Sequence, residues 1–341
     1  MTRTLEQLYF DIKSNISRID FSKLWEGFEP LKFALYNDEE CFFDGNYIEK
    51  TDDFLANTSI LYKGEKIAIW KVQEEIDSVL LTSKIVHEMF HGFQELGNEC
   101  DDLLALYKYR YDAKNLGLKL KENQLICGLL ENFDQKKFND LLGIRKYRER
   151  CFSYEFKYES LVEQIEGTAN FVEMGVLKQL SKKLYEQALA QMKARVVFEN
   201  NLVPVRIISY DIGALFLILL SENNIEFVKE FKGSTFLEKI LVNVNECVIP
   251  TEISAKVEAV VDNYYSRANM EIETTIFKND VVFKGKCDLL AVNVYNAVYH
   301  CNHIISRYFV MYGSEDDRKI EYGDFVIETK EPKKLTKIYR M

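Results

Sequence analysis

The chain is expected to fold as an α+β protein, predominantly helical, with a β-rich C-terminal region. Three observations predict this. Residues 99–240 are patterned almost wholly at helical spacing, and no proline lies between Pro30 and Pro204, so long uninterrupted helices are permitted. Before that stretch, and again after about residue 248, short apolar runs alternate between turn-forming residues, which is the texture of strands. The length of 341 residues allows two or three domains, and a chain that is 47% hydrophobic and 29% charged can bury a sizeable core. The expected division is a mixed N-terminal region with a strand hairpin (1–75), a helical domain (76–247) and a β-rich domain (248–341).

Leu5 to Phe21 carries apolar residues at helical spacing. LKFALY, CFFDGNYIEK and TSILYKGEKIAIWKV then read as strands, and Tyr62-Lys63-Gly64-Glu65 has turn chemistry between two alternating arms. The edge of that hairpin can serve as an ordinary sheet edge or pair with an extended peptide by strand addition. Asp77 or Ser78 can cap the next helix, expected to reach about Leu96 with Gly97 as its stop. Segment 99–150 is rich in charge, with Leu at helical spacing, and reads as helices inserted between two halves of a site. Thr251 to Ser266 reads as one more helix. After it, TTIFKNDVVFKGK, LLAVNVYNAVYH, IISRYFVMYG and YGDFVIETK read as strands separated by ND, KG, GS and EPKK turns.

Charge narrows the function classes. The net charge is −10, with acidic and basic residues interspersed and no basic stripe, so nucleic acid is not an expected partner. Seven scattered cysteines form no CxxC pair, which favours a reducing, cytoplasmic compartment. The N-terminus lacks an apolar run of signal-peptide type, and the most apolar stretch, Ile212 to Leu220, is too short to span a bilayer. No membrane partner is expected. The 20 Tyr and 23 Phe suit a heavily packed core or a substrate groove.

Two of the four histidines stand in one word, His87-Glu88-Met89-Phe90-His91. This is HExxH. On a helix, positions i and i+4 share a face, so both imidazoles can reach one metal ion, and Zn²⁺ suits such ligands. Glu88 is placed to act as base toward a water at that metal. A catalytic zinc takes three protein ligands and keeps one position open. The longer HExxHxxGxxH pattern is excluded, because Gln94 and Gly97 occupy the places of its glycine and third histidine. A carboxylate is therefore the expected third ligand. The segment Leu161 to Glu173 offers Glu166, followed by the small residues Gly167 and Ala169, with Glu163 as the alternative one turn earlier. Glu173, two turns beyond Glu166, can accept the free N–H of a ligand imidazole. His300 and His303 face opposite sides of a strand unless a turn separates them, which argues against a second metal site. Either can be a surface or core residue, or a hydrogen-bond donor reaching the cleft.

HExxH followed by EGxAxxxE is similar to the gluzincins, zinc peptidases with a Glu third ligand, of which the aminopeptidase N family is the best-known branch. The resemblance implies a zincin-like catalytic domain, with His87, His91 and Glu166 as zinc ligands, Glu88 as base and Glu173 supporting a ligand histidine. Ser209-Tyr210-Asp211-Ile212-Gly213 resembles that family's Tyr-x-x-Gly word at the start of an apolar helix, which implies that Tyr210 stabilises the oxyanion. The family's GxMEN word, which holds a substrate's amino terminus, is absent. That absence points toward an endopeptidase or oligopeptidase. The function expected is zinc-dependent hydrolysis of a peptide or protein substrate; the alternative is a peptide-binding or regulatory protein that retains the zinc site without efficient catalysis.

Overall fold

A computed structural model describes residues 3–51, 53–73, 76–94, 101–247, 254–314 and 317–341. The chain is α+β, with helix predominating and a β-rich C-terminal region. Thr4 opens helix α1 (Leu5–Ile16) with a reciprocal capping box to Gln7. The helix ends at Ile16, short of the expected Phe21, and a separate 3₁₀ turn forms at Phe21–Lys23.

Strands β1 (Lys32–Tyr36), β2 (Cys41–Phe43), β3 (Asn46–Ile48), β4 (Thr58–Tyr62) and β5 (Glu65–Lys71) form one sheet in the order β3-β2-β1-β5-β4. β1 and β5 run parallel; the other pairs are antiparallel. The period-2 pattern of β1 explains why both faces are covered. Phe33 and Leu35 point to a core shared with α1 and the next helix, α2 (Ser78–Gln94), while Ala34 and Tyr36 join Phe54, Tyr62, Ile67 and Ile69 on the other side. Asp77 caps α2, its carboxylate accepting from the N–H groups of Val79 and Leu80. The expected end of α2 at Leu96 and Gly97 lies outside the described residues.

The middle of the chain is helical, as its patterning predicts. It comprises α3 (Asp102–Lys108), α4 (Ala113–Glu131), α5 (Gln135–Cys151), α6 (Ser153–Val162), α7 (Thr168–Leu180), α8 (Lys182–Val197), α9 (Val205–Glu222) and α10 (Phe236–Leu241). A single π-helical turn, Glu163–Gly167, joins α6 to α7. α9 is buried along most of its length and forms the axis of this half. The first core and the HExxH word share elements: Ala169, Val172 and Val176 of α7 pack with Ile85, Val86 and Met89 of α2 above the sheet.

The C-terminal region consists of α11 (Ala255–Lys278) and a seven-stranded sheet of β6 (Val281–Val292), β7 (Val298–His300), β8 (His303–Ser306), β9 (Phe309–Gly313), β10 (Arg318–Tyr322), β11 (Phe325–Glu331) and β12 (Lys334–Arg340), in the order β10-β9-β6-β12-β11-β8-β7. Several strand expectations need correction: LLAVNVYNAVYH is interrupted by a turn at 294–296 between β6 and β7, and IISRYFVMYG is interrupted at Arg307-Tyr308 between β8 and β9. Thr274–Lys278 continue α11, whose Ala268, Ile272 and Ile276 pack on Ile305, Val326 and Tyr339, and the helix stops only at Asn279, in the left-handed conformation. Lys284-Gly285 lies within β6 and is not a turn. Of residues 251–266, those from 254 on are described, and the helix there runs twelve residues past Ser266, to Lys278.

Candidate metal centre

α2 places His87 and His91 on one face, and the π turn presents Glu166 to them. His87 Nε2 and His91 Nε2 are 3.0 Å apart, and Glu166 Oε2 lies 3.8 and 3.4 Å from them. A tetrahedral ion with bonds of about 2.0–2.1 Å sets its ligand atoms about 3.4 Å apart, so this spacing fits one zinc-sized ion. Among the described residues no fourth His, Cys or carboxylate joins the three.

The surroundings fix which histidine nitrogens face inward. Gln94 Nε2 donates to Ile165 O and to Thr168 Oγ1, both at 2.8 Å, so Gln94 Oε1 is the atom that meets His91 Nδ1 at 2.8 Å. His91 must donate there, and its Nε2 is left bare. Glu173 Oε2 faces His87 Nδ1 at 3.4 Å, with Lys84 Nζ 3.5 Å from its other oxygen. In its neutral form with the proton on Nδ1, toward Glu173, His87 would also turn a bare Nε2 inward. Two lone pairs and a carboxylate oxygen converging within 4 Å repel one another unless a cation sits among them. The electrostatics agree: burial opposes a charge on His87, but Glu166 and Glu173 outweigh it and raise its pKa to about 10. Glu166 is held well below the usual carboxylate range: burial opposes this, but both histidines outweigh it. The pocket favours positive charge, and a divalent ion answers that preference as a proton does.

Glu88 is partly buried beside the two histidines. Burial pushes its carboxyl up, the histidines oppose this, and Glu166 and Glu173 add to the rise. Tyr210, on α9, lies in the electrostatic reach of Glu166 and Arg206; burial raises its phenol above the ordinary value, Glu166 adds to the rise and Arg206 opposes it. The guanidinium of Arg206 lies 5.6 Å from the Tyr210 ring centroid.

The two glycines of the sequence words have one cause. A Cβ on Gly167 would lie 2.7 Å from Gly213 Cα, and one on Gly213 would lie 2.8 Å from Gly167 Cα. The π turn and α9 therefore cross backbone to backbone, and that crossing brings Glu166 and Tyr210 to the same spot.

Glu163, the alternative ligand, turns away. It bonds Arg145 at 3.1 Å, inside a fully buried cluster of Lys119, Glu122, Arg145, Arg148, Glu159 and Glu163. On an α-helix, residues three apart share a face; the wider π turn rotates Glu163 and Glu166 apart. The cluster draws its members from α4, α5, α6 and the π turn, so the inserted helices buttress the segment that carries Glu166.

His300 and His303 are not brought to the triad. They pair across β7 and β8 around the turn Cys301-Asn302, whose residues both have positive φ. His300 Nε2 meets Cys301 Sγ at 3.2 Å, and His303 Nδ1 meets Cys301 O at 2.7 Å. The C-terminal region instead sends Tyr295, its ring 6.3 Å from that of Tyr210 in an edge-on arrangement. Sequence reading missed Gln94, Arg206 and Tyr295 as site residues. Gln94 lies three residues after His91 and Arg206 four before Tyr210, so helical spacing alone could have indicated both. No local pattern marks Tyr295. No protein family, curated protein or solved structure matches this chain.

Proposed function

We propose that the protein is a zinc-dependent peptidase with a gluzincin-like site in a zincin-like catalytic domain. The observation that carries this reading is the convergence of His87 Nε2, His91 Nε2 and Glu166 Oε2 within 4 Å, with the Glu88 carboxyl on the same helix. His87, His91 and Glu166 would hold the ion, with Glu173 and Gln94 orienting the two imidazoles. Bound there, zinc supplies Lewis-acid chemistry, polarising the scissile carbonyl and acidifying water. Glu88 takes a proton from the attacking water and returns it to the leaving amine; its upward-shifted pKa suits both halves of that task. Tyr210 keeps its proton at neutral pH and so can donate a hydrogen bond to the negative oxygen that develops on the carbonyl.

No helix among the described residues is long and apolar enough to cross a membrane. The six described cysteines are free, which supports a cytoplasmic place of action. The test is Glu88→Gln. The amide keeps the shape but cannot accept a proton, so the variant should retain zinc and fold while hydrolysis of a peptide library falls by ~10²–10⁴-fold. Unchanged turnover in the zinc-loaded variant refutes the role of Glu88. Tight zinc binding with no hydrolysis by the wild type favours the peptide-binding alternative.

A further inference from the structure

Glu166 has two oxygens, and the structure gives each a different task. Oε2 faces the histidine nitrogens, while Oε1 accepts a hydrogen bond from Arg206 Nη2 at 3.2 Å. Arg206 is itself held. Its Nη1 donates to Asp102, which also accepts from the Tyr158 hydroxyl at 3.2 Å, and its guanidinium lies over the Tyr210 ring. Asp102 is the first residue of α3. On the same short helix, Leu103, Leu106 and Tyr107 pack into the core of the C-terminal sheet; Tyr107 lies against Tyr299 with ring centroids 4.7 Å apart, and Asp101 pairs with Lys333 at 2.5 Å.

We infer that Arg206, anchored by Asp102, is a positioning residue that holds Glu166 as a one-oxygen ligand and so keeps a coordination position open at the metal. The inference rests on the metal-centre reading above. Its physical basis is competition for Oε1. A carboxylate with one oxygen hydrogen-bonded to a partly buried guanidinium gains little by swinging that oxygen onto the ion. Freed of Arg206, Glu166 can close on the ion with both oxygens and crowd the place where water and the scissile carbonyl must enter. The same contacts make the C-terminal region part of the site: its core seats α3, α3 presents Asp102, Asp102 fixes Arg206, and Arg206 orients Glu166. Helices α3 to α5 thus supply a bridge between the β-rich region and Glu166 as well as the buried buttress.

The test reads the metal and not the reaction. Full-length wild type, Arg206→Met, Arg206→Lys and Asp102→Asn are titrated with Zn²⁺ against a chromophoric chelator, and the visible absorption of the Co²⁺-loaded forms is recorded. Arg206→Met is expected to lose about 10–100-fold in zinc affinity, the range for removing a group that supports a ligand. Its Co²⁺ bands should weaken as the ion goes from four- to five-coordinate. Arg206→Lys should retain part of the affinity, and Asp102→Asn should shift both readouts in the same direction by less. A folded Arg206→Met with wild-type affinity and an unchanged Co²⁺ spectrum overturns the inference. Should Arg206→Met fail to fold, unchanged affinity and spectrum in Asp102→Asn overturn it equally. Wild type that takes up neither ion removes the metal reading and this inference together. Wild type that binds both ions but cleaves no peptide removes only the proposed activity.

Discussion

Replacing Gly213 with Ala tests whether the crossing of the π turn and α9 builds the site. The added methyl would meet Gly167 Cα at 2.8 Å, Glu163 O at 2.9 Å and Glu163 Cα at 3.1 Å. All three are backbone atoms, so no rotamer change relieves the contact. Carbon atoms pack best at about 3.5–4.0 Å, so the two segments must part by roughly 0.7 Å or more. Overpacking of this kind costs about 1–3 kcal/mol. Glu166 adjoins Gly167, so the same movement displaces the ligand from His87 and His91, and a misplacement near 1 Å can cost ~10²-fold in rate. Urea unfolding, zinc titration and peptide hydrolysis should therefore all register the change. Gly117→Ala is the control: its Cβ would meet nothing within 4 Å, and helix propensity predicts equal or greater stability. A Gly213→Ala protein with normal unfolding, zinc affinity and turnover refutes the reasoning.

Three further outcomes follow from the same geometry. Tyr210→Phe should lower kcat on the order of 10²-fold with little change in KM, because its hydroxyl acts on charge that appears only in the transition state; near-normal kcat would pass that role to another group, with Tyr295, whose ring stands edge-on to that of Tyr210, the phenol to try. Gln94→Ala removes the acceptor for His91 Nδ1 and the tie to Ile165 O and Thr168, and should weaken zinc binding by ~10-fold or more; equal affinity by chelator competition would contradict this. Glu159 is buried, which raises its pKa, but Arg148 and Lys119 outweigh burial and bring it from 4.5 to about 2. Its folded pKa is depressed, so its stabilisation is complete above about pH 4.5 and fades as pH falls toward 2, about 3 kcal/mol at the outside. Glu163, raised by burial, titrates in the opposite sense, so the comparison is between wild type and Glu159→Gln in urea at several pH values. The gap between them should narrow below pH 4.5, and a gap independent of pH would contradict the assignment.

The parts of the fold legible in the sequence were those set by local chemistry. The hairpin at Lys63-Gly64 was one, because both residues take positive φ where turn residues stand between alternating arms. The histidine pair was another, because i and i+4 spacing is a property of any helix. Glu166 stood ahead of Glu163 because of the small residues that follow it, but the cause of their divergence was not legible: the π turn rotates the two apart, and it forms where α9 presses on Gly167. The Thr-Thr-Ile run at 274–276 reads as strand from its branched side chains, yet packing on Ile305 and Val326 keeps it helical. Asp102 and Tyr295 reach the site's surroundings from segments far from α9 in the chain, one before it and one after it, and no window of sequence contains that information.

The most direct test of the metal centre is zinc content after exhaustive dialysis, measured for wild type and for Glu166→Ala. The account predicts about one zinc per chain in the wild type and loss of it, or affinity weaker by ~10-fold or more, in Glu166→Ala, with the fold intact by circular dichroism. Full zinc occupancy in Glu166→Ala, or a folded wild type that binds no zinc when zinc is supplied, would contradict it.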